Sequence, residues 1–346
     1  MLYNVDKDYI INCFKTLVNV PSPVGFDLFL KPVLEGMCKE LGYELSYDNR
    51  DTAYISIDGE DNSKTVMISA HADTIGFVVK GIDGNGVIRI KALGGMNIHT
   101  VEGSNVSVIT RSGKIYTGIC MCQSHSTHAF SDAISLERSD KTLMVLLDEP
   151  VKSKEDVKAL GIRNGDLIAL DPGCVVTDNG YIKSRFIDDK GAIACVLAAL
   201  KYMKENSLKP KYNTLISFPY NEELGLGGTY IPQGVSEFLA VDIGLIAPNL
   251  DGDERSVSIC SMDATVTYDY KMTSELISKA ERAGCSYAVN TYLRYGSDAG
   301  AAVKAGNNLR YALCGMAVYG SHGVERTHID GLENTTALIL AYLMDL

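Results

Sequence analysis

The stretch Leu215-Ile-Ser-Phe-Pro-Tyr-Asn-Glu222-Glu223-Leu-Gly-Leu-Gly-Gly228 carries an apolar run into two adjacent carboxylates and a glycine-rich turn. A short apolar run bounded by turn residues reads as a buried strand. A buried strand that finishes in Glu-Glu needs an explanation. Neighbouring carboxylates repel, so one takes up a proton or both face cations. The same pattern recurs outward from this point. Thr65-Val-Met-Ile-Ser-Ala70 leads straight into His71-Ala-Asp73, and Asp242 interrupts the apolar run that starts at Phe238. Helical spacing is expected over residues 6–18, 27–41, 190–206, 274–283, 298–304 and 332–343, with strand-like runs between them. This alternation predicts an α/β fold: a mostly parallel mixed sheet with helices on both faces.

Residues 75–181 have a different character. Short Val/Ile-rich segments begin at Gly76, Gly86, Ser104, Ile115, Leu143 and Leu167, separated by Gly, Asn and Asp. Frequent turns and little helical periodicity predict a small β-barrel or sandwich. A length of 346 residues exceeds what one core usually holds. The expected organisation is therefore a catalytic α/β domain from residues 1–73 and 181–346, interrupted by a β-rich insert, 74–180. Exposed strand edges on such an insert make it an expected oligomerisation module.

A formal net charge of −11 argues against a nucleic-acid partner, because a phosphate backbone needs a Lys/Arg surface. No apolar run approaches the roughly 20 residues needed to span a bilayer, so no membrane association is expected. The first residues lack a charged start followed by an apolar core, so no secretory signal is expected. The nine cysteines are odd in number and scattered, which fits small buried residues in the cytoplasm. Cys120-Met-Cys122, with His125 and His128 nearby, could seed a zinc site, but an ordinary strand and loop outweighs that reading. His99, His125 and His128 read as surface or interface residues.

His71, Asp188, Glu222-Glu223, Asp242 and His328 each lie where an apolar run gives out or in the loop after one. In an open α/β sheet the carboxyl ends of the strands line the ligand crevice, so residues far apart in sequence can converge there. Two imidazoles and several carboxylates are the donor mixture for zinc, cobalt or manganese. There are enough carboxylates for two ions with one bridging. A further carboxylate beside the ions can take a proton from water and pass it to a leaving amine. Amide hydrolysis is the reaction class this arrangement serves. His322, six positions before His328, competes with it for the last ligand place. Asp188-Asp189 also suits the acidic start of a helix, and a lone Asp242 within an apolar strand needs a partner.

His71-Ala-Asp73, Asp188-Asp189, Glu222-Glu223, Asp242 and His328 resemble, in order, the metal-site motifs of the co-catalytic metallopeptidases. Asp-Asp-Lys-Gly at 188–191 resembles the carboxypeptidase G2-like family. In that family, however, the extra domain comes later, before the last histidine. The β-rich segment here falls between His71 and Asp188, an order that resembles the M42 family, the glutamyl and tetrahedral aminopeptidase group. The resemblance implies a zinc-peptidase-like fold and two divalent metal ions per chain. It implies that Asp188 bridges them, that His71 and Asp242 complete one ion, and that Glu223 and His328 complete the other. It implies Glu222 as general base and Asp73 as the carboxylate that orients His71, with Asp189 shaping the turn beside the bridge. Gly296-Ser-Asp298-Ala-Gly resembles a family segment near the pocket, which makes Asp298 a candidate substrate contact beside its plainer role at a helix start. Short peptides are the implied substrates, and dimers that build into a tetrahedral dodecamer the implied assembly.

Two positions depart from the family pattern. Thr74 stands where Glu usually follows His-x-Asp, and Glu325-Arg-Thr-His328-Ile-Asp replaces the usual Arg-Tyr-x-His-Ser. Both bear on subfamily and side-chain preference. A deacylase or amidase on the same dinuclear centre and a non-catalytic assembly subunit with this fold are the alternative functions. A paired-carboxylate glycosidase would need no histidines at strand ends.

Overall fold

A computed structural model describes residues 1–346. A nine-stranded mixed sheet forms the centre of the α/β part. Its order runs Ser46–Tyr47, Ala53–Ile57, Tyr212–Phe218, Asp61–Ser69, Val235–Val241, Arg310–Val318, Val257–Met262, Tyr287–Thr291, with Gly244–Leu245 added beside Arg310–Val318. The four strands Tyr212–Phe218, Asp61–Ser69, Val235–Val241 and Arg310–Val318 are neighbours and parallel. Their carboxyl ends therefore lie side by side at one edge of the sheet, the edge at which open α/β sheets bind ligands.

The helix Ile187–Glu205 packs between Lys7–Val18 and Ile329–Leu343 and is buried over most of its length. Such a helix cannot be amphipathic. Its small residues, Gly191, Ala192, Ala194, Ala198 and Ala199, are all buried and let its neighbours approach closely. Asp188 and Asp189, at its first turn, depart from helical φ/ψ, and the peptide bond between them is cis. Asp6 caps Lys7–Val18 by accepting from the Tyr9 N–H at 2.9 Å.

Six antiparallel strands close into a barrel in the order Gly76–Ile82, Ile88–Leu93, Leu143–Leu147, Ile115–Cys122, Asn105–Ile109, Leu167–Leu170. Each of the six Val/Ile-rich segments of the sequence contributes one strand. Closure removes the open edges of a small sheet, which corrects the expectation of exposed strand edges on the insert. Among the contacts of the barrel region with the rest of the chain, the buried Arg185 guanidinium donates to the Thr100 carbonyl (2.5 Å) and the Ser104 hydroxyl (3.0 Å).

Four strands stand outside the expected pattern: Val175–Val176, Tyr181–Ser184, Val257–Met262 and Glu325–His328. Val257–Met262 carries Ser258 and Ser261 among apolar residues and joins the sheet beside Arg310–Val318. Glu325–His328 runs back antiparallel to Tyr181–Ser184 in a separate three-stranded sheet. No helix is long and apolar enough to cross a membrane.

Candidate metal centre

Each of the four parallel strands hands over to a metal-type donor within five residues of its end. His71 follows Ser69, Glu222 and Glu223 follow Phe218, Asp242 follows Val241, and His322 follows Val318. Asp188 approaches the same edge from the start of the central helix. Its two oxygens face two imidazoles: Oδ1 lies 2.9 Å from His71 Nε2, and Oδ2 lies 3.4 Å from His322 Nε2. His322 Nε2 is also 3.7 Å from Glu223 Oε2, and His71 Nε2 is 3.9 Å from Glu222 Oε2. Donor atoms of His71, Asp188 and Glu223 lie within 4.8 Å of one another, and so do those of His71, Asp189 and Asp242.

The two histidines are oriented in the same way. His71 Nδ1 is 3.0 Å from the Asp73 carbonyl oxygen, and His322 Nδ1 bonds the Gly95 carbonyl. An Nδ1–H donated to a main-chain oxygen leaves Nε2 as the ligating atom. Asp73 also accepts from the main-chain N–H of Glu222 (3.0 Å) and of Glu223 (3.1 Å), tying the first strand end to the second. Its carboxylate is 3.5 Å from His71 Nδ1. Asp189 accepts from the His71 N–H at 3.0 Å with Oδ2, while its buried Oδ1 has no hydrogen-bond partner. The fully buried Lys190 donates to Ser22 Oγ (2.6 Å) and the Ala72 carbonyl (2.5 Å), so it grips the loop between His71 and Asp73. Lys190 stands in the Asp-Asp-Lys-Gly motif at 188–191, but the sequence alone assigns it no role there.

His328 is not in this cluster, which corrects the expectation that it completes the ligand set. Its Nε2 bonds the Asn179 carbonyl at 2.8 Å, and its Nδ1 accepts from the Asp330 N–H at 3.0 Å, capping the final helix. Both ring nitrogens are engaged, and the ring stacks edge-on against Tyr181. The strand Glu325–His328 turns back toward Tyr181–Ser184 and carries His328 off the sheet edge. His322, in the turn before that strand, stands at Asp188. Asp298 is buried behind the cleft wall with Oδ2 3.3 Å from Ser69 Oγ, and Ser297 caps its helix.

The electrostatics are those of a site short of positive charge. Burial pushes Glu223 up to about 8 and Asp242 up to about 7, with the nearby Asp188 adding to both. Burial likewise holds Glu222 and Asp189 well above the usual carboxylate range. Burial is the largest single influence on the imidazoles and opposes their charge, but the surrounding acceptors, Asp188 first among them, together outweigh it and raise His322 to about 10 and His71 well above its ordinary value. Burial would also raise Asp188, yet the hydrogen bonds from His322 and His71 hold it below the normal range. Protonated groups thus occupy positions where a cation would serve as well. Two imidazoles, a carboxylate facing both, three further buried carboxylates and an orphaned carboxylate oxygen fit a divalent ion such as zinc, cobalt or manganese.

The cluster opens into a cleft of about 970 Å³, lined among others by Glu222, Glu223, Asp242, Tyr295, His322 and, from the loop after a barrel strand, Gly95 to Asn97. A carboxylate at its wall, with backbone amides and imidazoles around a shared donor, is equipped to move a proton to or from a bound substrate.

A model of the family described as M42 glutamyl aminopeptidase matches residues 52–338. A protein of Bacillus subtilis (strain 168) named putative aminopeptidase YhfE is 36% identical over 330 residues, covering 95% of each chain. The TET aminopeptidase of the marine sediment archaeon Thaumarchaeota archaeon SCGC AB-539-E09 superposes with a TM-score of 0.86 at 19% identity, covering 98% of this chain and 97% of that one. The Pyrococcus horikoshii TET1 peptidase, which can assemble into a tetrahedron or a large octahedral shell, superposes with a TM-score of 0.83 at 22% identity, covering 97% and 100%. A family match over most of the sequence and a relative of this identity over nearly its full length agree with the strand-end donor set: the chain belongs to the M42 family of aminopeptidases.

Proposed function

We propose that this chain is a metal-dependent aminopeptidase that removes the N-terminal residue from short peptides. What supports the reading above all is that each oxygen of Asp188 faces the Nε2 of a different histidine. Asp188 would bridge two divalent ions, with His71 and Asp242 on one and Glu223 and His322 on the other. Such a pair, when bound, makes a water molecule a better nucleophile and polarises the carbonyl under attack. Glu222, largely buried at the cleft wall, takes the proton at its carboxylate and delivers it to the departing amine. Asp73 holds the main chain of Glu222 and Glu223, so the two neighbouring carboxylates keep separate directions. His71 and His322 give up the Nε2 protons shared with Asp188 when the site loads.

Residues 1–73 and 181–346 form the catalytic unit in this reading, and the insert 74–180 carries the assembly surface. The tetrahedron that the Pyrococcus horikoshii TET1 peptidase can form, and the dodecamer of PhTET1-12s, support assembly of dimers into a dodecamer here. A closed shell would admit short peptides only. Nine free cysteines, none of them exposed, support a cytoplasmic setting.

The test is Glu222→Gln on metal-loaded protein. It should keep its bound metal and lose about 10²–10⁴-fold in turnover of aminoacyl p-nitroanilides. Undiminished turnover would remove Glu222 as the base. Faster hydrolysis of N-acyl amino acids than of aminoacyl amides by the wild type would turn the reading to a deacylase.

A further inference from the structure

Glu325 forms no salt bridge, is 2% exposed, and lies outside the donor set. Its two oxygens are both in use. Oε2 accepts from the Asp188 N–H at 3.1 Å, and Oε1 accepts from the His322 N–H at 3.2 Å. These two residues are the ones whose side chains meet at Asp188 Oδ2.

Both N–H groups lie on backbone that regular structure leaves unserved. Asp188 has extended ψ at the start of the central helix, after Phe186 in the left-handed region, so its N–H has no helical acceptor. His322 has φ 59 in the turn between Arg310–Val318 and Glu325–His328, a left-handed conformation uncommon outside glycine. A turn of this kind persists only where surrounding contacts over-determine it. Glu325 begins the strand that leaves the turn, and its backbone is fixed by pairing with Ser184. One rigidly mounted side chain therefore spans both irregular segments.

The residue type matters. A carboxylate has two acceptor oxygens and no donor, whereas the isosteric Gln has one acceptor and an NH₂ that would face an N–H. Asp is one methylene shorter and cannot reach both. We propose that Glu325 is a positioning residue that sets the spacing between Asp188 and His322, and through it the affinity of the ion they share. The inference rests on the reading of Asp188 and His322 as ligands. It accounts for the unusual Glu325-Arg-Thr-His328 segment: the glutamate serves the site, and the histidine caps a helix.

The test compares wild type, Glu325→Gln and Glu325→Asp for stoichiometry and affinity of cobalt(II), for the visible spectrum of the cobalt-loaded protein, and for kcat and KM. The Gln variant should fold, by circular dichroism, and bind its weaker ion about 10–100-fold less tightly, the range that partners of metal ligands command. Its cobalt spectrum should shift, and kcat should fall more than KM rises. Asp should restore neither. A wild type that takes up no metal sinks the metal-centre reading and this inference with it. A wild type that binds two ions beside a Gln variant of equal affinity and spectrum overturns the role of Glu325 alone. Failure of both variants to fold with metal present would assign the carboxylate to the fold, and that also overturns it.

Discussion

His71 and His322 present the same atom to the same carboxylate from opposite kinds of backbone. His71 is 2% exposed, two residues past a central strand, and its orienting carbonyl belongs to Asp73 in its own loop. The His322 side chain is a third exposed, its backbone is left-handed, and its orienting carbonyl is Gly95, contributed by the loop after the barrel strand Ile88–Leu93. One half of the centre is built by the sheet. The other half is assembled when barrel, turn and sheet meet. The barrel region therefore does more than extend the surface: Gly95 supplies the acceptor for Nδ1 that turns Nε2 of the second imidazole toward Asp188.

Removing either imidazole is the harshest test of this symmetry. His71→Ala and His322→Ala should each leave one of two ions bound and lower turnover by more than about 100-fold, beyond the 10–100-fold that outer partners cost. Metal analysis and steady-state kinetics on the purified variants check this. Two ions retained in His322→Ala would break the equivalence of the two halves.

Two glycine substitutions then separate a rigid half from an assembled one. A Cβ on Gly315 would overlap the main-chain oxygen of Asp242 in the neighbouring strand, where neither partner can yield. Gly315→Ala should destabilise the protein by roughly 1–3 kcal/mol and disturb Asp242. A Cβ on Gly95 would stand 3.2 Å from His322 Nδ1, a contact that a small ring shift relieves. Gly95→Ala should leave the unfolding midpoint unchanged and lower turnover by on the order of 10-fold, the scale of a sub-ångström misplacement. Equal stability losses in the two variants would contradict the contrast.

This contrast also explains what could be read from the residues alone. His71, Glu222-Glu223 and Asp242 were legible because apolar strands end where they stand, and the strand-end rule applies whatever the tertiary detail. The six barrel strands were legible from Val/Ile runs cut by turns. The strand Val257–Met262 was not, since Ser258 and Ser261 interrupt its apolar run and hide an inner strand whose polar residues are satisfied within the fold. The choice between His322 and His328 turned on Glu325–His328 pairing with Tyr181–Ser184, a long-range contact without local signature. One local signal did exist. His322 lies four residues past its strand, as Glu222 lies four past Phe218, and Gly320 and Gly323 flank it as a tight turn requires.

Protonation gives a smaller but general effect. Glu223 at about 8 and Asp242 at about 7 hold protons in the folded chain that the unfolded chain, near about 4, has released. Between roughly pH 4 and 8 the folded state therefore binds more protons, and its stability falls as pH rises. His322, at about 10 against about 6.5 unfolded, acts in the same direction above about pH 6.5. Asp188 has the opposite sign, but its contribution is complete above about pH 4. Chelated protein should thus melt lower at pH 8 than at pH 5, and metal loading should reverse the order by displacing those protons. Melting curves with EDTA and with cobalt at both pH values measure it. A chelated protein equally stable at both would show that protons do not stand in for cations here.

The smallest effect belongs to the histidine that the family pattern favoured. His328 uses Nδ1 to accept from the Asp330 N–H and Nε2 to bond the Asn179 carbonyl, so its ring serves the start of the last helix and the turn before Tyr181. Asn is among the best residues at such a helix start and keeps the acceptor. His328→Asn then loses one side-chain hydrogen bond, about 1 kcal/mol, with metal content and kcat unchanged. The measurement that decides is the ratio of bound metal to protein in His328→Asn against His322→Asn. Metal loss confined to His322→Asn keeps the two halves as described; metal loss in His328→Asn would mean that the Glu325–His328 strand reaches the centre after all.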